Sequence, residues 1–227
     1  MKRLVLSFPL LLPWPEALAA PWVQDEGGLY TRVALASEEV EGLQAQRQDV
    51  YVEFGLTADW TVSAKAESIS YDGASDFNAT GWRTTLRRKL FQARGFTASV
   101  EVGALEGAAI GGANGCETLG GEVRTGLAWS GALRERDTYL FAELAGRFHE
   151  GCQRERVEVG FGQNLRGQLW GMTQVWVEQG TRNAQSSKLQ SELIWRGDRL
   201  DLSFGYRQEY GGQFEEEGLF VSAARRF

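Results

Sequence analysis

The chain is 227 residues long, 43% hydrophobic and 24% charged, a balance that excludes disorder. A formal net charge of −6 disfavours nucleic acid as a partner, because phosphate binding needs a basic face. No run of about 18 uncharged apolar residues occurs, which excludes a membrane-spanning helix, yet 28 glycines, 8 tryptophans and 12 phenylalanines against 4 prolines are unusual for an ordinary soluble domain.

Lys2 and Arg3 precede an apolar stretch from Leu4 to Leu12, and Ala17-Leu18-Ala19 supplies small residues ahead of Ala20-Pro21. This order reads as a secretory signal peptide over residues 1–19, leaving 20–227 as the exported domain. The alternative is a buried N-terminal helix. Pro9, Pro13 and Pro15 oppose it, since each removes a donor and clashes with the preceding turn.

From about Gly28 onward the pattern has period two. Val50, Val52, Phe54, Leu56, Ala58 and Trp60 alternate with Asp49, Tyr51, Glu53, Gly55, Thr57 and Asp59, as in a strand with one apolar and one polar face. The same alternation recurs down to Leu219, Val221 and Ala223, and with weaker segments at 29–38, 60–70 and 168–178 it predicts 12 strands. Tight connections fall at 57–59, 92–95, 131–136, 164–167 and 197–198. Longer polar or Gly-rich ones fall near 39–47, 72–81, 106–118, 149–154, 180–187 and 211–217. Short turns at one end and long loops at the other describe an all-β, antiparallel up-and-down transmembrane β-barrel. A β-sandwich would have no reason to alternate its loop lengths.

If the apolar face points outward, Trp60, Phe96, Trp129, Phe161, Trp195 and Phe227 lie towards the short-turn end, and Trp82, Phe148 and Tyr210 towards the long-loop end. These are expected to form the two aromatic girdles of a membrane barrel, placed in outer-membrane lipid.

The last strand, Gly218 to Phe227, with alternate apolar residues ending on Phe, resembles the C-terminal assembly signal of Gram-negative outer-membrane barrels, and Tyr51 to Thr57 resembles a strand and turn common among them. In size and strand count the chain is similar to small monomeric 12-stranded porin-like channels that pass acidic sugars. The resemblance implies the barrel assembly machinery as a partner and the outer membrane as the location. It identifies a class and no particular solute. Arg225, on the outward face of the final strand, departs from the pattern and is expected to snorkel to the interface.

The opposite face carries Glu53, Lys65, Glu67, Arg83, Arg87, Lys89, Glu101, Glu122, Arg124, Glu143, Arg147, Arg156, Glu158, Glu178, Glu192, Arg207 and Glu209. Arg or Lys facing lipid at mid-depth costs about 2–4 kcal/mol, so these charges are expected to line a lumen. Counting up from the short turns pairs Glu53 with Lys65, Arg87 with Glu101 and Arg124 with Glu143. Two uses are open. The pairs neutralise a plugged lumen, or a basic wall of Lys65, Arg83, Arg87 and Lys89 faces an acidic wall of Glu158, Glu178 and Glu192 across an eyelet for small hydrophilic, anionic solutes.

Enzyme signals are weak. His149 is the sole histidine, no spacing supplies a serine beside it, and His149-Glu150-Gly151-Cys152 is not a zinc motif. No cofactor, metal site or catalytic residue is expected. A lipid-modifying enzyme is the distant alternative. Cys116 and Cys152 fall in loops flanking one predicted hairpin, which points to a disulfide in an oxidising compartment, although strand parity would put them on opposite faces if both strands extended that far.

Overall fold

The computed structural model describes residues 21–111, 116–181, 185–211 and 215–227; residues 1–19, read as a signal peptide, lie outside them. Twelve strands run in chain order. They are β1 (Leu29–Val40), β2 (Leu43–Thr57), β3 (Trp60–Tyr71), β4 (Ala79–Ala93), β5 (Phe96–Glu106) and β6 (Gly120–Leu133). There follow β7 (Arg136–His149), β8 (Cys152–Arg166), β9 (Leu169–Gly180), β10 (Ser186–Arg196), β11 (Asp201–Tyr210) and β12 (Glu216–Arg226). Each pairs antiparallel with its sequence neighbours, and β1 pairs with β12 from Tyr30↔Arg226 to Val40↔Glu216, so the sheet closes into a barrel. At this seam Leu29 and Phe227 exchange main-chain hydrogen bonds of 3.3 and 2.9 Å. Closure leaves no unpaired strand edge, which is the condition for a sheet to cross lipid.

The period-two pattern decides which way the barrel faces. Val102, Leu144 and Leu193 are 50, 56 and 51% exposed, whereas their chain neighbours Glu101, Glu143 and Glu192 are 3, 3 and 4% exposed. A water-soluble barrel would reverse that order. Apolar outside and charged inside is the order a hydrocarbon solvent selects.

The short-turn end carries two-residue turns at 58–59, 94–95, 134–135 and 167–168, with 197–200 slightly longer. Arg94 and Gly95 have φ of 52° and 83°, the left-handed pair that suits the strand twist. Arg134 and Glu135 reach φ of 53° and 64° with no glycine at all. At the other end, segments 72–78, 107–119, 181–185 and 211–215 connect strands, but two expected loops are absent. The segment 39–47 is almost all strand, turning only at Glu41–Gly42, and 149–154 turns only at Glu150–Gly151. Gln44 and Gln46 give the first segment its loop-like composition, but they occupy the outward face while Ala45 and Arg47 continue the buried alternation inside.

The segment joining β5 to β6 carries a single helical turn, α1 (Ala108–Gly111), which folds over the mouth. Ala109 packs there against Val40, Ala45 and Ile69. The Cys116–Cys152 disulfide pins this segment to the start of β8 with a Cα separation of 5.3 Å. The parity objection falls away because β6 begins only at Gly120, so the chain around Cys116 is free to bend.

Candidate functional site

The lumen is built in levels. Nearest the short turns, Trp22, Ala128, Tyr139, Phe141, Trp170, Met172 and Ile194 form a buried apolar cluster inside the barrel. Tyr139 stacks on Trp170 at 6.1 Å, and Trp22 meets Tyr139 and Phe141 edge-on at 5.9 and 6.5 Å. The inward glycines Gly160 and Gly162 leave the space these rings fill, since a Cβ there would lie 2.2 and 2.0 Å from the rings of Phe141 and Tyr139. The outward alternation alone does not reveal these inward aromatics. The signal was present in Tyr139-Leu140-Phe141-Ala142, where both faces of one strand are apolar.

Above the cluster lies a belt of buried ion pairs. Arg87 reaches Glu101 through Nε at 2.6 Å and Glu53 through Nη1 at 3.1 Å. Arg124 holds Glu143 at 2.7 Å and Glu122 at 3.2 Å, while Arg32 holds Glu192 at 3.2 Å. Glu143 and Glu158 stand opposite one another in the β7–β8 ladder, and their like charges are met by Arg124 and by Arg156, the latter 3.0 Å from Glu158. Charges withdrawn from water persist only when partnered in this way.

Two of the expected neighbour pairs, Arg87 with Glu101 and Arg124 with Glu143, are present. The third is not. Lys65 bridges Asp49 at 2.7 Å and Glu67 at 2.6 Å, and Glu53 turns to Arg87. In the β2–β3 ladder Glu53 lies opposite Ser63 and Lys65 opposite Tyr51.

The two facing walls are corrected as well. Lys65 and Arg83 line the upper lumen, Arg87 belongs to the belt, and Lys89 lies beside exposed Asp59 at 3.3 Å near the short turns. Arg83 is spanned to Glu122 at 3.2 Å. On the other side Glu178 is within 4 Å of Arg147, Arg154 and Arg156. Acid and base therefore interleave around the lumen instead of segregating.

At the loop end the lumen widens into a vestibule of about 550 Å³. Among the described residues, ten basic side chains and seven acidic ones line it, together with Tyr51, Tyr71, Phe77, Met172 and Trp176. Arg47 sits on its wall between three carboxylates, 2.7 Å from both Glu38 and Glu216 and in contact with Glu67. Arg156 lies over the Trp176 ring, 4.8 Å from its centroid. The Nε atoms of Arg124, Arg154 and Arg156 have no hydrogen-bond partner among the described residues. The strand pattern does not single out Arg32, Glu38, Arg47, Asp49, Arg154 and Glu216, because most of them fall in segments it reads as loops or at weakly patterned strand ends.

On the outer face, Phe96, Phe161, Trp195 and Phe227 are exposed towards the short turns and Trp82, Phe148 and Tyr210 towards the loops. Trp60 and Trp129 are half-buried, the former beneath the Arg88 guanidinium at 5.3 Å. Arg225 lies over the ring of Phe227 at 4.2 Å. His149 faces inward beside Gly120, its Nδ1 2.7 Å from the Thr118 carbonyl.

The closed 12-stranded meander with its charges inside recurs among solved structures. The chain shares the fold of small outer-membrane porins. The KdgM porin in complex with disordered oligogalacturonate superposes with a TM-score of 0.61 at 7% identity, covering 86% of this chain and 99% of that one. An outer-membrane channel from Pseudomonas putida F1 gives 0.61 at 9% identity, over 94% and 100% of the two chains. The NanC porin gives 0.59 at 10% identity, over 85% and 98%. LpxR from Salmonella typhimurium also aligns, with a TM-score of 0.55 and 8% identity over 87% and 99%. No family model and no curated protein matches the sequence.

Proposed function

We propose that the chain is a porin-like channel of the Gram-negative outer membrane for small hydrophilic, anionic solutes, exported by a signal peptide at residues 1–19 and not an enzyme. The vestibule carries this reading. In a chain of net charge −6 it gathers, among the described residues, ten basic side chains against seven acidic ones. Such a chamber concentrates anions, since lining charge sets the sign of the ion admitted. Guanidinium groups and the Trp176 face suit a carboxylated sugar, and the bound oligogalacturonate of one structural neighbour is of that class. The exposed rings at the two ends serve as girdles in outer-membrane lipid, and the terminal Phe227 as the mark read by the barrel assembly machinery.

Planar-bilayer recording tests this reading. Anion-selective steps blocked by galacturonate oligomers are expected. Cation preference overturns it, as does silence of both the intact chain and a variant lacking residues 21–25, which fill the lower lumen. A second reading, a closed surface barrel without transport, is favoured by one observation. Between the vestibule and the short turns the belt and the apolar cluster leave little open space.

A further inference from the structure

We infer that residues 21–25 are a displaceable plug, held inside the barrel by its own inward-facing side chains, and that their release opens the lumen. The inference rests on the channel reading and concerns its regulation.

Pro21 is fully buried, and Trp22 and Val23 are only 9 and 8% exposed. Four strands hold this one segment. Arg87 on β4 donates to the Trp22 carbonyl at 2.7 Å, and Thr61 on β3 accepts from the Gln24 amide at 2.8 Å. Glu53 on β2 accepts from the Gln24 side chain at 2.6 Å, and Tyr139 and Phe141 on β7 pack on the Trp22 ring. Two inward glycines make room for the segment. A Cβ at Gly55 would fall 1.9 Å from the Asp25 carbonyl oxygen, and one at Gly126 would fall 2.6 Å from Pro21 Cγ. The lumen is therefore shaped around residues 21–25.

None of these contacts belongs to the barrel ladder. Strand pairing begins at Leu29, and Gly27 (φ 77°) and Gly28 bond to Gly55 just before it, which supplies a hinge. The segment can leave without unpairing a strand. The latch is also within reach of the vestibule. Tyr51 lines that chamber and donates its hydroxyl hydrogen bond to Glu53, the same carboxylate that binds Gln24 and Arg87. A solute that draws Tyr51 towards itself loosens the hold on the plug.

Bilayer conductance of the intact chain, of a deletion of residues 21–25, and of Pro21→Cys/Gly126→Cys tests the plug. In the double cysteine variant the native pair is replaced by Cys116→Ser/Cys152→Ser. A Cβ at Gly126 lies 2.9 Å from Pro21 Cβ, close enough for a disulfide to lock the segment in place after small adjustment. The deletion is expected to conduct severalfold more than the intact chain. The oxidised lock is expected to be silent until reductant restores conductance. Equal conductance of intact and deleted chains overturns the plug and leaves the channel standing. Silence of both, with the deletion variant still heat-modifiable, overturns plug and channel together. If the deletion fails to fold, the lock decides, because equal conductance when oxidised and reduced overturns the plug.

Discussion

Arg87 and Glu101 face one another directly across β4 and β5, with Nε 2.6 Å from Oε2 and both side chains withdrawn from water. Replacing Arg87 by Met leaves Glu101 and Glu53 without their shared cation, and the expected loss is about 3–5 kcal/mol, as for one side of a buried pair. Urea unfolding in micelles followed by tryptophan fluorescence measures it. The double variant Arg87→Met/Glu101→Leu is expected to recover only the share of the loss carried by Glu101, because Glu53 still lacks its cation. A single variant as stable as the parent would show that water reaches the belt.

Lys65 and Lys188 lie in the vestibule wall with side chains 27 and 23% exposed, and neutralising them costs some stability at Asp49 and Glu209 while Glu67 keeps Arg47. Lys65→Gln with Lys188→Gln is expected to lower the anion-to-cation permeability ratio severalfold without altering heat-modifiability. The reversal potential in a salt gradient reads this directly. An unchanged potential would remove the vestibule from the permeation path.

Deleting Phe227 takes away an exposed terminal ring and its main-chain bonds to Leu29 at the closing seam. Outer-membrane levels of folded barrel are expected to fall. Normal amounts of the heat-modifiable form on unboiled gels would contradict the role assigned to this residue.

The disulfide holds a loop and not the barrel, whose main-chain hydrogen bonds run strand to strand. Reduction is expected to raise amide hydrogen exchange in residues 107–111 and 116–119 while the strands keep their protection. Thiol titration of the denatured, unreduced protein should find none. Two free thiols per chain would show that the bridge does not form.

The barrel was legible in the sequence because lipid enforces a strict rule on one face. Leu140 and Leu144 must be apolar outside whatever lies within, and the alternation with Glu143 made strand, face and order readable. The interior obeys a weaker rule, that volume be filled and charge be matched. Nothing in the spacing of Tyr139, Phe141 and Trp170 says that they meet Trp22, which comes from outside the sheet. Likewise spacing does not show that Glu53 reaches past β3 to Arg87 on β4, nor that Lys65 is taken by Asp49 and Glu67.

The turn at Arg134–Glu135 holds two residues at positive φ without a glycine, and left-handed backbone costs an ordinary side chain about 1–2 kcal/mol. The 14 paired residues on each side of the β6–β7 hairpin impose that geometry. The hairpin therefore folds against the preference of its own turn, and the barrel stands below the stability its architecture allows. An engineer can recover the difference. Asn followed by Gly is the pair this turn type prefers, and introducing it by Arg134→Asn together with Glu135→Gly should raise the barrel's resistance to urea without touching the lumen.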